Sequence, residues 1–345
     1  MKRLLLILPI MVLMVATATA QDKPYMVAFW NLENLFDIYN DPETHDDEFT
    51  PDGVKQWNEI KYQKKLANVE RVLFDIAAIN KDYPVVIGVS EIENRSVLED
   101  LVAQPKLAGA NYRICHYDSP DARGVDVAFL YRADVFKLEG SDNIKLEVAE
   151  LPDFRTRDLV VMWGNIDGEP FYFLVSHWPS RLGGKEASQF KRDACAAQIR
   201  SIKDSLLAAN PATKVIVMGD FNDDATDASL VKTMGAKGKV KELEKGDFFN
   251  PYYQMLKAGH GTLAYQDAWN LFDNICVTEN LVNAEDGKLR LVKGSGNKFW
   301  GNIFTRPYML QQEGQYKGYP LRTFVTNNFQ NGFSDHFPVY IYIGK

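Results

Sequence analysis

The stretch Val215-Ile-Val-Met-Gly-Asp-Phe-Asn-Asp-Asp224 passes without a linker from apolar residues into carboxylates and an amide. Asp and Asn are favoured turn residues, so one reading is a turn that closes a strand. The other is a stiff strand aiming oxygen ligands into a cleft. The same punctuation recurs along the chain. Trp30-Asn31-Leu32-Glu33, Ser90-Glu91-Ile92-Glu93-Asn94, Phe173-Leu-Val-Ser-His177 and Gly219-Asp220-Phe221-Asn222 each end an apolar run. Leu271-Phe272-Asp273 opens another, and Ser334-Asp335-His336 precedes the last. A lone Asp or Asn at such a place is a turn residue. Six strand ends that each carry a carboxylate, an amide or an imidazole suggest one constellation.

Asn31, Glu91 and Asp335 offer the hard oxygen donors that Mg²⁺ or Mn²⁺ prefers, with neither a thiolate nor the dense His cluster that favours zinc. His177 and His336 can donate to a phosphoryl oxygen or relay a proton near neutral pH. Together these types suit metal-assisted attack of water on phosphorus, where charge builds on non-bridging oxygens and on the leaving oxygen. Asp126 in Arg-Gly-Val-Asp-Val-Ala-Phe is expected to hydrogen-bond His177 and hold its tautomer. Arg123, Arg181 and Arg322 stand in Gly/Pro-rich surroundings and are candidates for bidentate phosphate contacts. Glu93 has a plainer use as an acid beside the helix expected to begin near Asn94. Trp178, Trp269 and Trp300 could stack on bases, although packing is the commoner use of tryptophan. His45, His116 and His260 show no partner pattern.

These residues must be positioned by strands and helices that alternate along the chain. Tyr25 to Trp30, Val85 to Val89, Val125 to Tyr131, Leu159 to Asn165, Phe171 to Ser176 and Val215 to Met218 read as strands. Further strands are expected at Ile275 to Val277, Leu289 to Val292 and Pro338 to Ile343. Leu66, Val69, Val72, Leu73, Ile76 and Ala77 recur at helical spacing within Lys61 to Asn80. A short helix over Ser96 to Val102 has Asn94 as a cap, and Ala187 to Ala209 forms the second long one. Many strands with two long helices and no Rossmann-type glycine signature indicate a layered α/β arrangement in one domain over 21–345. Val231 to Gly261, rich in Lys, Gly and Glu, reads as a surface insertion.

Lys2 and Arg3 precede the apolar run Leu4 to Val15, and Ala18-Thr19-Ala20 forms an A-x-A cleavage pattern. The run falls short of the about 20 apolar residues of a membrane span. Residues 1–20 are therefore expected to be a signal peptide, leaving an exported chain, periplasmic or extracellular, that starts at Gln21 and keeps no stable membrane insertion. Losing Lys2 and Arg3 moves the formal charge from 39 − 46 = −7 to 37 − 46 = −9. So acidic a chain has no global attraction for nucleic acid, and phosphate must be met by local cations or metal. Cys115, Cys195 and Cys276 show neither C-x-x-C nor zinc spacing and read as buried thiols, with one disulfide possible.

The segments Trp-Asn-Leu-Glu-Asn, Ser-Glu-Ile-Glu-Asn, RGVDVAFLYR, SHWPSR, GDFND, LFDNICV and Phe-Ser-Asp-His occur in the order found in the endonuclease/exonuclease/phosphatase superfamily, which the sequence resembles over nearly the whole mature chain. The Glu-Ile-Glu-Asn and SHWPSR combination most resembles its secreted bacterial branch. The resemblance implies a four-layer αββα sandwich of two packed mixed β-sheets. It implies Glu91 as principal metal ligand with Asn31 and Glu33 in or beside the same ligand set, and Asp335 as a metal-side carboxylate. Asp220 and Asn222 would align water and contact phosphate, His336 would stand at the scissile phosphate oriented by Asp273, and His177 would donate to phosphate or leaving group. The role of base stays open between Asp220 and His336. The implied activity is Mg²⁺-dependent (or Mn²⁺-dependent) hydrolysis of phosphodiesters, with nucleic acid as substrate and a monomeric enzyme. Lipid head groups or inositol phosphates are the alternative substrates, and an inactive binding module is the alternative from another class.

Overall fold

The computed structural model describes residues 23–345. The expected signal peptide, residues 1–20, lies outside the described residues, and no described helix is long and apolar enough to cross a membrane.

In chain order the strands begin with β1 (Tyr25–Leu35), β2 (Val86–Ile92), β3 (Tyr112–His116), β4 (Asp126–Arg132), β5 (Lys137–Ile144) and β6 (Leu159–Ile166). β7 (Glu169–His177), β8 (Lys214–Asp220), β9 (Ala236–Lys237), β10 (Phe248–Phe249), β11 (Leu263–Tyr265) and β12 (Ala268–Asn270) follow. The last are β13 (Asp273–Thr278), β14 (Arg290–Val292), β15 (Asn302–Ile303), β16 (Phe324–Val325), β17 (Asn328–Phe329) and β18 (Val339–Gly344). The two long helices are α1 (Glu59–Asn80) and α3 (Gln189–Ala209), with the short α2 (Arg95–Val102) between them in the chain.

One large sheet runs β14-β18-β1-β2-β4-β3 with β15 on β18, and the other runs β5-β6-β7-β8-β13-β10-β9. Both are mixed. β1 pairs parallel to β2 and β7 parallel to β8, while β1–β18, β2–β4 and β8–β13 are antiparallel. The sequence pattern explains why the sheets stack. Along β1, Val27 and Phe29 face the second sheet while Met26, Ala28 and Trp30 pack under α1. Along β8, Ile216 and Met218 face the first sheet while Val215 and Val217 meet α3. A strand covered on both faces reads as an unbroken apolar run, which is what these segments show. The layers are thus α1 and α2, first sheet, second sheet, α3. Gly88 marks a close approach of the two sheets, since a Cβ there would stand 2.5 Å from Met218 Sδ.

Asn58 caps α1 by accepting from Lys61 N, and Asn94 caps α2 by accepting from Val97 N. Val231 to Gly261 is not a surface insertion: β9 and β10 extend the second sheet, and the buried Phe248 and Phe249 pair with β13. Cys115, Cys195 and Cys276 are all buried and free.

Candidate active site

Three neighbouring strands of the second sheet end on one row. His177 of β7 pairs with Asp220 of β8, and Asp220 with Asp273 of β13. The first sheet answers from across the sandwich. Asn31 pairs with Ser90, after which the β1–β2 register shifts. The shift is made by residues in left-handed backbone, Glu33 (φ 48°), Asn34 (φ 55°) and Glu91 (φ 56°). Such angles are uncommon for residues other than Gly and cluster at functional sites. They turn Glu91 and Glu33 out of strand alternation. Asn222 (φ 50°) makes the same kind of turn after β8, its N–H donating to Asp220 Oδ1 at 2.9 Å.

Asp220 is the centre. Its Oδ2 accepts from Asn31 Nδ2 at 3.1 Å and lies 3.5 Å from His177 Nε2 and 3.7 Å from His336 Nε2. Glu91 Oε1 is 3.9 Å from His177 Nε2, and Asp335 Oδ1 is 3.9 Å from His336 Nε2. All six strand ends therefore meet at one rim.

The surroundings push the pKa values of the two imidazoles in opposite directions. Burial opposes a charge on His336, but the carboxylates of Asp273 and Asp220 outweigh it and raise its pKa well above the usual range. Asp273 Oδ2 meets His336 Nδ1 at 2.7 Å, which leaves Nε2–H directed at the site. Burial and the nearby cations Arg157, Arg123 and His336 push His177 the other way, well below 6.5. Asp220 is raised to about 6, chiefly by burial, with His336 lowering and Asp273 raising it.

Glu33, Glu91, Asp220, Asp273 and Asp335 crowd more carboxylate than the local cations neutralise. Glu33 is also raised, by burial and Asp335. Asp273 Oδ1 is buried without a hydrogen-bond partner. A cluster of hard oxygens with surplus negative charge fits a small divalent cation. Asp220, Asp273 and His336 form one of the candidate metal-holding groups among the described residues.

The supporting shell holds what sequence reasoning missed. Lys65 of α1 is buried and donates to Thr323 Oγ1 and Phe333 O, each at 2.7 Å. It thereby straps the segment carrying Arg322 and Asp335 onto the first sheet's helix. Its only sequence signal was a charge on the apolar face of α1. Arg157 ties Asp121 (3.0 Å) to Trp178 O (2.9 Å), fixing the turn after His177.

Two expectations are corrected. Asp126 does not partner His177. Its oxygens are taken by His116 Nε2 at 2.8 Å and by Ser119 N at 2.9 Å, on the turn that follows its antiparallel neighbour β3. His177 Nδ1 is left without a hydrogen-bond partner. Arg181 does not face phosphate either. Its guanidinium donates to Asn222 O and Asp227, lies 3.3 Å from Asp223 and 3.5 Å from Asp224, and stacks over Phe272. Four acceptors close round it, so it clamps the loop after β8 instead. Arg123 is half-exposed, 3.8 Å from Glu91, and Arg322 makes a close ion pair with Asp335, 3.7 Å from Glu33. Asn222 Nδ2 donates to Trp178 O at 2.9 Å, joining the loops after β7 and β8. Trp178 is packed on Phe221 with centroids 4.4 Å apart, so packing is its use.

Below that clamp, Arg192 Nε lies 2.8 Å from Asp223 Oδ1, and neither side chain is exposed to solvent. Arg192→Met would strand a buried carboxylate, and breaking such a pair costs about 3–5 kcal/mol. The expected result is a clear fall in the denaturant midpoint at unchanged slope. A midpoint equal to the parent's would show that Arg181 and the two donors to Asp223 Oδ2, Gln189 Nε2 at 3.1 Å and Ser229 Oγ at 2.6 Å, satisfy the carboxylate unaided.

The sequence matches the model described as Endonuclease/Exonuclease/phosphatase family over residues 26–345. No curated protein matches it significantly. Among solved structures it is similar to D. rerio TDP2 complexed with a single-strand DNA product, at 17% identity and TM-score 0.54, covering 94% of this chain and 100% of that one. It is similar to the human Nocturnin catalytic domain with bound sulfate, at 14% identity and TM-score 0.54, covering 93% and 94%. A mannosyl-6-phosphatase of Bacteroides thetaiotaomicron aligns at 17% identity and TM-score 0.54, covering 92% and 99%. At these identities the likenesses show the fold.

Proposed function

Because the chain belongs to the endonuclease/exonuclease/phosphatase family, whose enzymes hydrolyse phosphoric esters with a divalent metal, we propose that it is a Mg²⁺-dependent phosphodiesterase that cleaves DNA or RNA. The observation that carries the reading is the convergence of His177, Asp220 and His336 Nε2 on one point, with Asp273 behind His336.

Glu91, Asn31 and Asp335 would hold the cation, which when bound supplies positive charge against the phosphoryl and leaving oxygens. The rest is done by side chains. His336, kept as imidazolium by Asp273, has no lone pair on Nε2 and serves as a charged donor to a non-bridging oxygen. Asp220, whose pKa burial raises to about 6, takes the proton of the attacking water in this reading. Neutral His177 donates from Nε2 to the phosphate or leaving oxygen. Arg123, loosely held at the rim, is the arginine free to meet a second phosphate. The substrate class draws support from D. rerio TDP2, solved with a single-strand DNA product.

The test is a panel of single-stranded and plasmid DNA, RNA, sphingomyelin and inositol phosphates in Mg²⁺, with His336→Ala alongside. Nucleic acid should be cut, and His336→Ala should lower the rate by about 10²–10³ or more, as for loss of an oxyanion donor. Turnover of the lipid or the inositol phosphates alone would reject the nuclease reading.

A further inference from the structure

Arg322 and Asp335 also line a neighbouring cleft of about 510 Å³ whose other walls are rich in tyrosine and glutamine. Tyr265 is 66% exposed and Tyr316 is 49% exposed, beside Tyr319, Gln266 and Gln315. Large exposed aromatics gathered at one place mark a contact surface.

The cleft is built, not incidental. One wall is the β11–β12 hairpin, closed by Gln266 (φ 49°) and Asp267 (φ 61°), both left-handed as a tight two-residue hairpin turn requires. Phe337 N, next to His336, donates to Thr262 O at 2.8 Å, so the hairpin hangs from the segment that carries the imidazole. The facing wall is an arch in which Leu310 bridges Pro320 and Gln311 N donates to Tyr319 O at 2.8 Å. Tyr319 Oη donates to Asp267 at 2.6 Å and joins the two walls. Tyr319 is thus fixed as a strut, whereas Tyr265 and Tyr316 present their rings.

We propose that this cleft is a base-binding subsite, in which Tyr265 and Tyr316 stack on the nucleobase of a nucleotide flanking the scissile phosphate. The inference rests on the nuclease reading of the adjoining site. Three observations select the occupant. The cleft adjoins the phosphate site through the shared wall residue Asp335, so a nucleotide whose phosphate lies at the reacting centre can reach into it. Its volume falls in the small-ligand range of about 300–1,000 Å³, the size of a splayed-out nucleoside and not of a stacked duplex. Its one lining cation, Arg322, is already paired with Asp335, so the cleft does not track a polyanionic backbone, whereas phenol faces and amides suit a neutral base. The enzyme is accordingly selective for single-stranded or unpaired substrate.

The test compares a single-stranded oligonucleotide with its counterpart carrying abasic tetrahydrofuran residues at every position, in Mg²⁺. The parent should favour the base-bearing strand in kcat/KM by about 10-fold or more, in line with stacking on exposed aromatics. Tyr265→Ala/Tyr316→Ala should erase the preference by slowing only the base-bearing strand, and Tyr265→Phe/Tyr316→Phe should keep it. Equal parental rates on both strands, or a preference that survives the double alanine variant, would overturn the subsite and leave the nuclease reading standing. No cleavage of either strand by the parent would overturn both.

Discussion

Asp220→Asn lowers turnover on any phosphate ester by about 10³-fold or more, with the protein still folded. The substitution keeps shape. Asn Oδ1 can still accept from Asn222 N, the bond that shapes the loop after β8. What it cannot do is take a proton, and it places an amide where Asn31 Nδ2 and the His336 imidazolium already direct hydrogens. Losing a general base costs about 10²–10⁴, and misalignment of the two flanking donors adds to it. Single-turnover rates at saturating substrate, with circular dichroism to confirm the fold, measure this. If Asp220→Asn retains a tenth of the parental rate while His336→Ala does not, the base has been assigned to the wrong residue.

Chelation is the second large effect. EDTA should abolish turnover, and Mg²⁺ or Mn²⁺ should restore it. Binding is also readable without catalysis, because a cation held by the folded state alone raises the melting temperature with its concentration. Glu91→Gln removes a carboxylate from the oxygen set, so the cation needed for half-maximal rate should rise at least about 10-fold, with the thermal increment shrinking in parallel. Turnover that persists in EDTA would remove the cation from the reaction. A thermal increment unchanged in Glu91→Gln would move it to other ligands.

The fold was legible where burial imposes a pattern. β1, β2, β7 and β8 are covered on both faces, and each appears in the sequence as an apolar run ending in a polar side chain. The site was legible for the same reason, since a residue at the end of a buried strand has only one rim on which to emerge. Pairings that depend on side-chain direction were not. Asp126 lies on β4, the antiparallel neighbour of β3, and nothing in its sequence context distinguishes a route to His116 from a route to His177. Arg181 looked free because its four acceptors come from a loop some forty residues away. Lys65 was hidden by its own helix, where the Lys64-Lys65 pair reads as a solvated edge. β9, β10, β16 and β17 have two residues each, too few to show a period.

The walls of the tyrosine-rich cleft are a short hairpin and an arch, whereas the groups that meet phosphate stand on, or directly beside, the ends of long strands of the two packed sheets. Reaction and recognition are therefore separately housed, one in the chassis and the other in detachable trim. A lineage could exchange the 263–270 and 311–320 segments and acquire a new leaving group while Arg322, Thr323 and the hydrolytic machinery they support stayed in place.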